Sequence, residues 1–158
     1  MADVGTFRTT IAIENPLERG KRHELPDTLV DTGAELTWAP TAVLEALGVA
    51  RQKRLGFRTA DGRAVFRDIG YAIVYAGGTE TNDEVVFAEP GDMILLGARS
   101  LEGLNLRVDA RTKRLVDAGP IVAAIAYMIS GLQTRRPARR WRGVRARTRV
   151  GSGQHAEA

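Results

Sequence analysis

Short strand-like segments separated by tight-turn residues recur along most of this chain of 158 residues. Each segment is too short for the apolar periodicity of a helix, and several alternate apolar and polar side chains as half-buried strands do. The turn signals between them are Asn15-Pro16, Asp61-Gly62, Gly77-Gly78 and Pro90-Gly91. We therefore predict an all-β fold, a small, closed and mostly antiparallel β-barrel with one or two short helices.

The segments can be placed along the chain. Strands are predicted at residues 6–13, 28–30, 69–75, 84–88 and 93–96, with hairpins around 58–66 and 106–116 and a charged loop at 18–24. A short helix is predicted from Pro40-Thr41 to Gly48, because Val43, Leu44 and Leu47 share one face. Residues 100–106 are predicted to add one or two helical turns.

The composition limits the chemistry that the chain can perform. It has no cysteine, which excludes disulfides and thiolate metal sites, and its only histidines are His23 and His155. Two histidines are few for a histidine metal site or for a histidine-activated nucleophile. We therefore expect a carboxylate catalyst, with no metal and no cofactor.

The positive charge lies at one end of the chain. The net charge is +4, but residues 131–158 hold eight arginines and one acid, which leaves −3 for residues 1–130. We predict a folded domain at 1–125 and an arginine-rich, disordered tail at 126–158. The arginine cluster at 135–149, with Trp141 available to stack, could attract nucleic acid or an acidic surface, or could be a solvated terminus.

The sequence shows no export signal and no membrane span. The opening residues, MADVGTFRTT, lack a basic segment followed by an apolar one. The longest apolar run, 121–129, is about half as long as a membrane-spanning helix. We expect a cytoplasmic location.

Residues 29–40, LVDTGAELTWAP, bring an aspartate directly after an apolar strand. Alone, Asp31-Thr32-Gly33 is compatible with an ordinary turn. A second apolar segment that ends in glycine, ILLG at 94–97, follows about sixty residues later. The combination resembles the retropepsin-like aspartic proteases, particularly their small bacterial and cellular single-domain members, over about residues 6–120.

The resemblance implies a barrel of the retropepsin type and an aspartic endopeptidase. Peptide hydrolysis without a metal needs one carboxylate and one carboxylic acid at the same pH, and two neighbouring aspartates that share a proton provide both. Because the chain has a single Asp-Thr-Gly, the second aspartate must come from a second copy, which makes an obligate homodimer. By resemblance, Asp31 is catalytic, Thr32 hydrogen-bonds across the two-fold axis, and Gly33 lets the substrate backbone approach.

The resemblance also implies contacts with a protein or peptide substrate. Ala34 and Glu35 would lie beside the substrate main chain, and Trp38 would line a side-chain pocket. A hairpin would close over the substrate as a flap; it consists of Ala60, Asp61, Gly62 and Arg63. From the residues alone, Glu35 could instead complement the dipole of a first helical turn, and Trp38 could belong to the core.

The chain departs from the retroviral pattern in two places. Retroviral members carry arginine directly after the second glycine, whereas Ala98 stands here and Arg99 follows, so the ion pairs at the dimer interface are expected to differ. The segment FRTADGR is not the glycine-rich retroviral flap. The dimer-forming terminal strands of the family are expected at 115–125.

Two other functions stay open from the sequence. The domain could be a dimeric peptide-binding or assembly module without turnover. It could also only dimerise, while the arginine-rich tail associates with nucleic acid.

Overall fold

The computed structural model describes residues 7–123, which form nine strands and two short helices. The elements are β1 (Phe7–Glu14), β2 (Arg22–Val30), β3 (Thr37–Pro40), α1 (Thr41–Ala46), β4 (Lys53–Arg58), β5 (Ala64–Ala76), β6 (Thr79–Ala88), β7 (Leu95–Leu96), α2 (Ala98–Gly103), β8 (Leu106–Asp109) and β9 (Arg114–Asp117). The prediction of a mostly β domain with two short helices is confirmed. The predicted tail at 126–158, with its arginine cluster and Trp141, lies outside the described residues.

Seven strands form one sheet, in the order β1-β2-β7-β3-β6-β5-β4, and β1 also pairs with β5. The strands β8 and β9 form a separate hairpin. Most neighbouring strands are antiparallel, as predicted, but β2 pairs with β7 in parallel, and so does β3 with β6. Parallel neighbours are joined by long connections, so the local turn signals do not reveal them.

The second strand is longer than predicted, because β2 begins at Arg22 and includes the end of the expected charged loop. In its pairing with β1, Thr28 lies opposite Thr9 and Leu25 lies opposite Ile11. Two residues of β2, Pro26 and Asp27, therefore stand where β1 has one, and they form a bulge. Asp27 has a φ of 56° there. The bulge interrupts the alternation of buried and exposed residues, which hides the full strand in the sequence.

The interior is filled by apolar side chains from the strands together with Leu44 of α1 and Leu101 of α2. A smaller cluster of Leu36, Ile69 and Val86 lies to one side, and the partly buried rings of Trp38 and Phe57 pack against it. One member of this second cluster, Leu36, lies in the segment that follows the Asp-Thr-Gly motif, so it buries part of that segment. Neither helix within residues 7–123 has the length and apolar character needed to span a bilayer.

Candidate active site

Asp31 directly follows the last residue of β2, and its main chain is held on both sides. Its N–H donates to the Leu96 carbonyl at 3.0 Å, and its carbonyl accepts the Ala34 N–H at 3.3 Å. The carboxylate oxygen Oδ1 accepts the Gly33 N–H at 2.9 Å, which closes a small side-chain turn. No hydrogen bond from residues 7–123 reaches Oδ2, so one oxygen of this half-buried carboxylate is available.

The second glycine segment lies directly against the aspartate loop. β7 pairs with β2 on one side, Val30 opposite Leu96, and with β3 on the other. The Ala98 N–H then donates to the Ala34 carbonyl at 2.8 Å, and the Arg99 N–H donates to the Glu35 carbonyl at 3.0 Å. Two segments that are far apart in the sequence therefore meet where β2 and β7 end.

Gly97 is required at this crossing by space rather than by its backbone angles. A Cβ at this position would lie 2.5 Å from both the carbon and the oxygen of the Leu36 carbonyl, and 3.0 Å from the Glu35 oxygen. These are main-chain atoms, which cannot turn aside as a side chain could. Its φ of −91° is open to any residue.

Glu35 belongs to a chain of alternating charges. Its carboxylate accepts a hydrogen bond from the Arg99 guanidinium at 3.0 Å, and Arg99 also reaches the Glu84 carboxylate at 3.0 Å. Glu84 accepts a further bond from Lys53 at the start of β4, and this hydrogen bond holds the pKa of Glu84 below its ordinary value. Arg99 thus makes its ion pairs within its own chain.

The alternative interpretation of Glu35 as an acid in a first helical turn is wrong. Residues 37–40 form β3, and α1 begins only at Thr41. The apolar spacing of 43–47 does belong to a helix, but that helix starts only after Pro40. Residues 37–40 pair with β6 in parallel instead, and parallel pairing has no local signature in the sequence.

Trp38 lies in β3 and is half-buried. Its ring meets Phe57 of β4 edge to face, with centroids 5.0 Å apart and planes at 62°. Part of the residue is accessible to solvent. Trp38 therefore connects the small apolar cluster to the strand that carries the predicted flap.

The predicted flap hairpin is a tight, exposed turn between β4 and β5. Gly62 has a φ of 85°, a left-handed conformation that favours glycine, and its N–H donates to the Thr59 carbonyl at 2.9 Å. The Asp61 carboxylate accepts bonds from the Thr59 hydroxyl and from Arg63, and the Thr59 bond lowers the pKa of Asp61. Within residues 7–123, no hydrogen bond or ion pair joins residues 60–63 to the Asp31 loop.

Several polar residues around the site were not predicted. Thr37 and Ser100 are buried and share a hydrogen bond of 2.6 Å, and Asp83 accepts a bond from Ser100 at 2.8 Å. Elsewhere, Arg67 of β5 forms a bidentate pair with Asp92, at 2.6 and 2.9 Å. Their sequence signal is weak, because the hydrogen-bonded partners lie far apart in the sequence.

Neither of two surface cavities formed by residues 7–123 is lined by Asp31. No group of three or more acidic or histidine side chains in this part of the chain could hold a metal ion. A surface cavity of about 380 Å³, lined by residues such as Arg8, Pro40 and Met93, does not include Asp31. Neither does a wider groove of about 680 Å³ around Arg19, Arg22 and Tyr75.

We compared the chain with protein-family models, with curated proteins and with solved structures. A family model described as gag-polyprotein putative aspartyl protease matches residues 23–103, a range that includes both the Asp31 loop and Gly97. The solution structure of simian foamy virus (mac) protease matches with 23% identity and a TM-score of 0.42, covering 61% of this chain and 92% of that one. No curated protein matches the chain in sequence.

Proposed function

Because the chain belongs to the gag-polyprotein aspartyl protease family, we propose that it is an aspartic endopeptidase that acts as a homodimer. The observation that carries the proposal is the anchoring of Asp31. Its main chain is fixed by Leu96 and Ala34, one carboxylate oxygen is oriented by Gly33, and the other accepts no bond from the described residues. A carboxylate held in this way is suited to bind and activate a water molecule.

The chemistry requires two such groups. One Asp31 carboxylate takes a proton from water while the water oxygen attacks the carbonyl carbon of the peptide bond. The other carboxyl, protonated, donates to the carbonyl oxygen. As the carbon–nitrogen bond breaks, the first carboxyl passes the proton it took from water to the amine nitrogen, and the second regains its proton from a hydroxyl of the intermediate. Since two close carboxylates cannot both be ionised, the pair shares one proton and its two pKa values belong to both members.

In this proposal a second copy supplies the second aspartate across a two-fold axis. Thr32 is exposed beside Asp31, which supports a hydrogen bond to the opposite subunit, and exposed Gly33 leaves room for a substrate backbone. The family's terminal dimer strands are proposed within 115–123, of which 115–117 belong to β9 and 118–123 form no strand in the single chain; residues 124–125 of the predicted range lie outside the described residues. The pairing of β1 with β5 supports the closed barrel of the retropepsin type.

The substrate would be an extended peptide held as an added strand. Ala34 and Glu35 are proposed to hydrogen-bond its main chain, and the accessible part of Trp38 is proposed to form one wall of a side-chain pocket. The Ala60–Arg63 hairpin is proposed to close over it, which would exclude water and strengthen the electrostatics of the aspartate pair. Within residues 7–123, no hydrogen bond or ion pair fixes the hairpin to the Asp31 loop, which is compatible with such a movement.

The test is cleavage of a denatured protein or a peptide library by wild type and Asp31→Asn. We expect the substitution to abolish cleavage and leave peptide binding in place, because asparagine keeps the shape and loses the titrating group. Asp27→Asn is the matched control, since Asp27 lies four residues upstream, in β2, with its side chain 78% exposed. Cleavage that survives in Asp31→Asn would contradict the proposal, and so would an equal loss in Asp27→Asn.

A further inference from the structure

A line of hydrogen bonds runs from the main chain of Asp31 to a carboxylate on β6. The Asp31 N–H donates to the Leu96 carbonyl, and the N–H on the other side of the same peptide group, that of Gly97, donates to the Thr37 hydroxyl at 3.0 Å. The Thr37 hydroxyl lies 2.6 Å from that of Ser100, which donates to Asp83 at 2.8 Å. Each member is in contact with the next.

The direction of the line follows from the chemistry of its end. An ionised carboxylate can only accept, so the single hydroxyl proton of Ser100 is used on Asp83. Thr37 must therefore donate to Ser100, and its oxygen accepts from Gly97. Every bond then points the same way, towards the negative charge, and bonds arranged in this manner polarise and strengthen one another.

The two hydroxyls of the line are enclosed, whereas Asp83 at its end is half-buried. Thr37 and Ser100 are both 0% exposed, and no buried side-chain polar atom in residues 7–123 is without a partner. The other oxygen of Asp83 accepts the N–H of Glu84 at 2.7 Å, which fixes the carboxylate. A hydroxyl removed from this line would leave buried groups unpaired, and only a shift of the main chain could satisfy them.

We propose that Asp83, acting through Ser100 and Thr37, is a positioning residue that sets the orientation of the Leu96–Gly97 peptide group and thereby of Asp31. The inference rests on the proposed function for its catalytic consequence. The peptide group has two anchors, Asp31 on its oxygen and Thr37 on its nitrogen, so losing one lets it rotate about the other. Because the aspartate pair needs both carboxyls in one geometry, a small rotation lowers the rate of the chemical step more than it lowers substrate binding.

Two substitutions at one position separate this role from simple stability. Thr37→Val keeps the shape and removes the hydroxyl, whereas Thr37→Ser keeps the hydroxyl and removes a methyl group. We expect Thr37→Val to lower kcat by about tenfold with KM changed less than about twofold, and Thr37→Ser to retain kcat within about twofold. Thr28→Val is the control: Thr28 is a buried threonine of β2 whose hydroxyl donates to the Leu25 carbonyl, outside the line, and kcat should be unchanged.

A second readout does not depend on catalysis. Hydrogen exchange of the Gly97 and Asp31 amides, followed by NMR in the full chain, should be faster by about tenfold in Thr37→Val and in Ser100→Ala, but not in Thr28→Val. Unchanged exchange at both amides in Thr37→Val would overturn the inference, and so would an equal loss of kcat in Thr28→Val. If the wild type cleaves no peptide, the proposed function fails, and the exchange rates still decide whether Thr37 positions the loop.

Discussion

Replacing Gly97 by alanine tests how the two segments of the candidate site are held together. The added Cβ would lie 2.5 Å from the carbon and oxygen of the Leu36 carbonyl, a distance that real Cβ atoms essentially never show. The two segments would have to separate by at least about 0.5 Å to reach even 3.0 Å. The main chain is hydrogen-bonded on both sides of the contact, so it cannot relax locally.

The cost can be estimated from the contacts. Overpacking in a tight site costs about 1 to 3 kcal/mol. Separating the segments also weakens the bonds from Ala98 to Ala34 and from Arg99 to Glu35, at about 1 kcal/mol each. We therefore expect Gly97→Ala to lower the free energy of unfolding by about 3 to 5 kcal/mol, a large share of the about 5 to 15 kcal/mol typical of a domain.

Denaturant unfolding followed by circular dichroism measures this change. Gly56→Ala is the matched control, because there the new Cβ would meet the ring of Phe66 at 3.0 Å, and that ring is 55% exposed and can turn aside. We expect the control to change the free energy of unfolding by less than about 0.5 kcal/mol. A Gly97→Ala protein as stable as the control would refute the argument that the crossing has no space for a methyl group.

Three further predictions concern carboxylates outside the aspartate pair. Arg67 lowers the pKa of Asp92, so Asp92→Asn should lower the free energy of unfolding by about 1.5 to 3 kcal/mol at pH 7. A carboxylate whose pKa is lowered in the folded state loses its stabilising effect as the pH falls through that pKa, so the difference in stability from wild type should shrink below about pH 4. The side chain of Glu14 is 1% exposed and its pKa is lowered, chiefly by the Gly20 N–H; Glu14→Gln should lower the thermal midpoint at pH 7 and progressively less in acid, and an equal decrease at pH 3 would contradict the assignment. Asp61→Ala should loosen the exposed hairpin tip and raise KM several-fold in steady-state assays, while the free energy of unfolding stays close to that of wild type. An unchanged KM would argue against a flap.

The parts of the fold that sequence reasoning predicted have strong local signals. Asp61-Gly62 marks the β4–β5 hairpin because a left-handed glycine is needed there. The helix that begins at Thr41 follows Pro40 and carries one apolar face. The motif at Asp31 was recognisable because a second apolar segment that ends in glycine, ILLG at 94–97, accompanies it.

The parts that were missed depend on contacts between distant segments. The start of β2 at Arg22 depends on a bulge at Pro26 and Asp27 that can be seen only against β1. The line from Thr37 to Asp83 joins three elements, and nothing in the sequence near either hydroxyl predicts its partner. The parallel pairing was missed for the same reason, because the partner strand lies far along the chain.

The central claim is that two subunits contribute one Asp31 each to a shared site, and subunit mixing tests it most directly. Wild type and Asp31→Asn are mixed in varying proportions at constant total protein, allowed to exchange subunits fully, and assayed for peptide cleavage. If both aspartates are required, only wild-type pairs are active, so activity follows the square of the wild-type fraction and an equal mixture retains about one quarter. A linear decrease, with about one half retained in the equal mixture, would mean that each chain acts alone and would contradict the account.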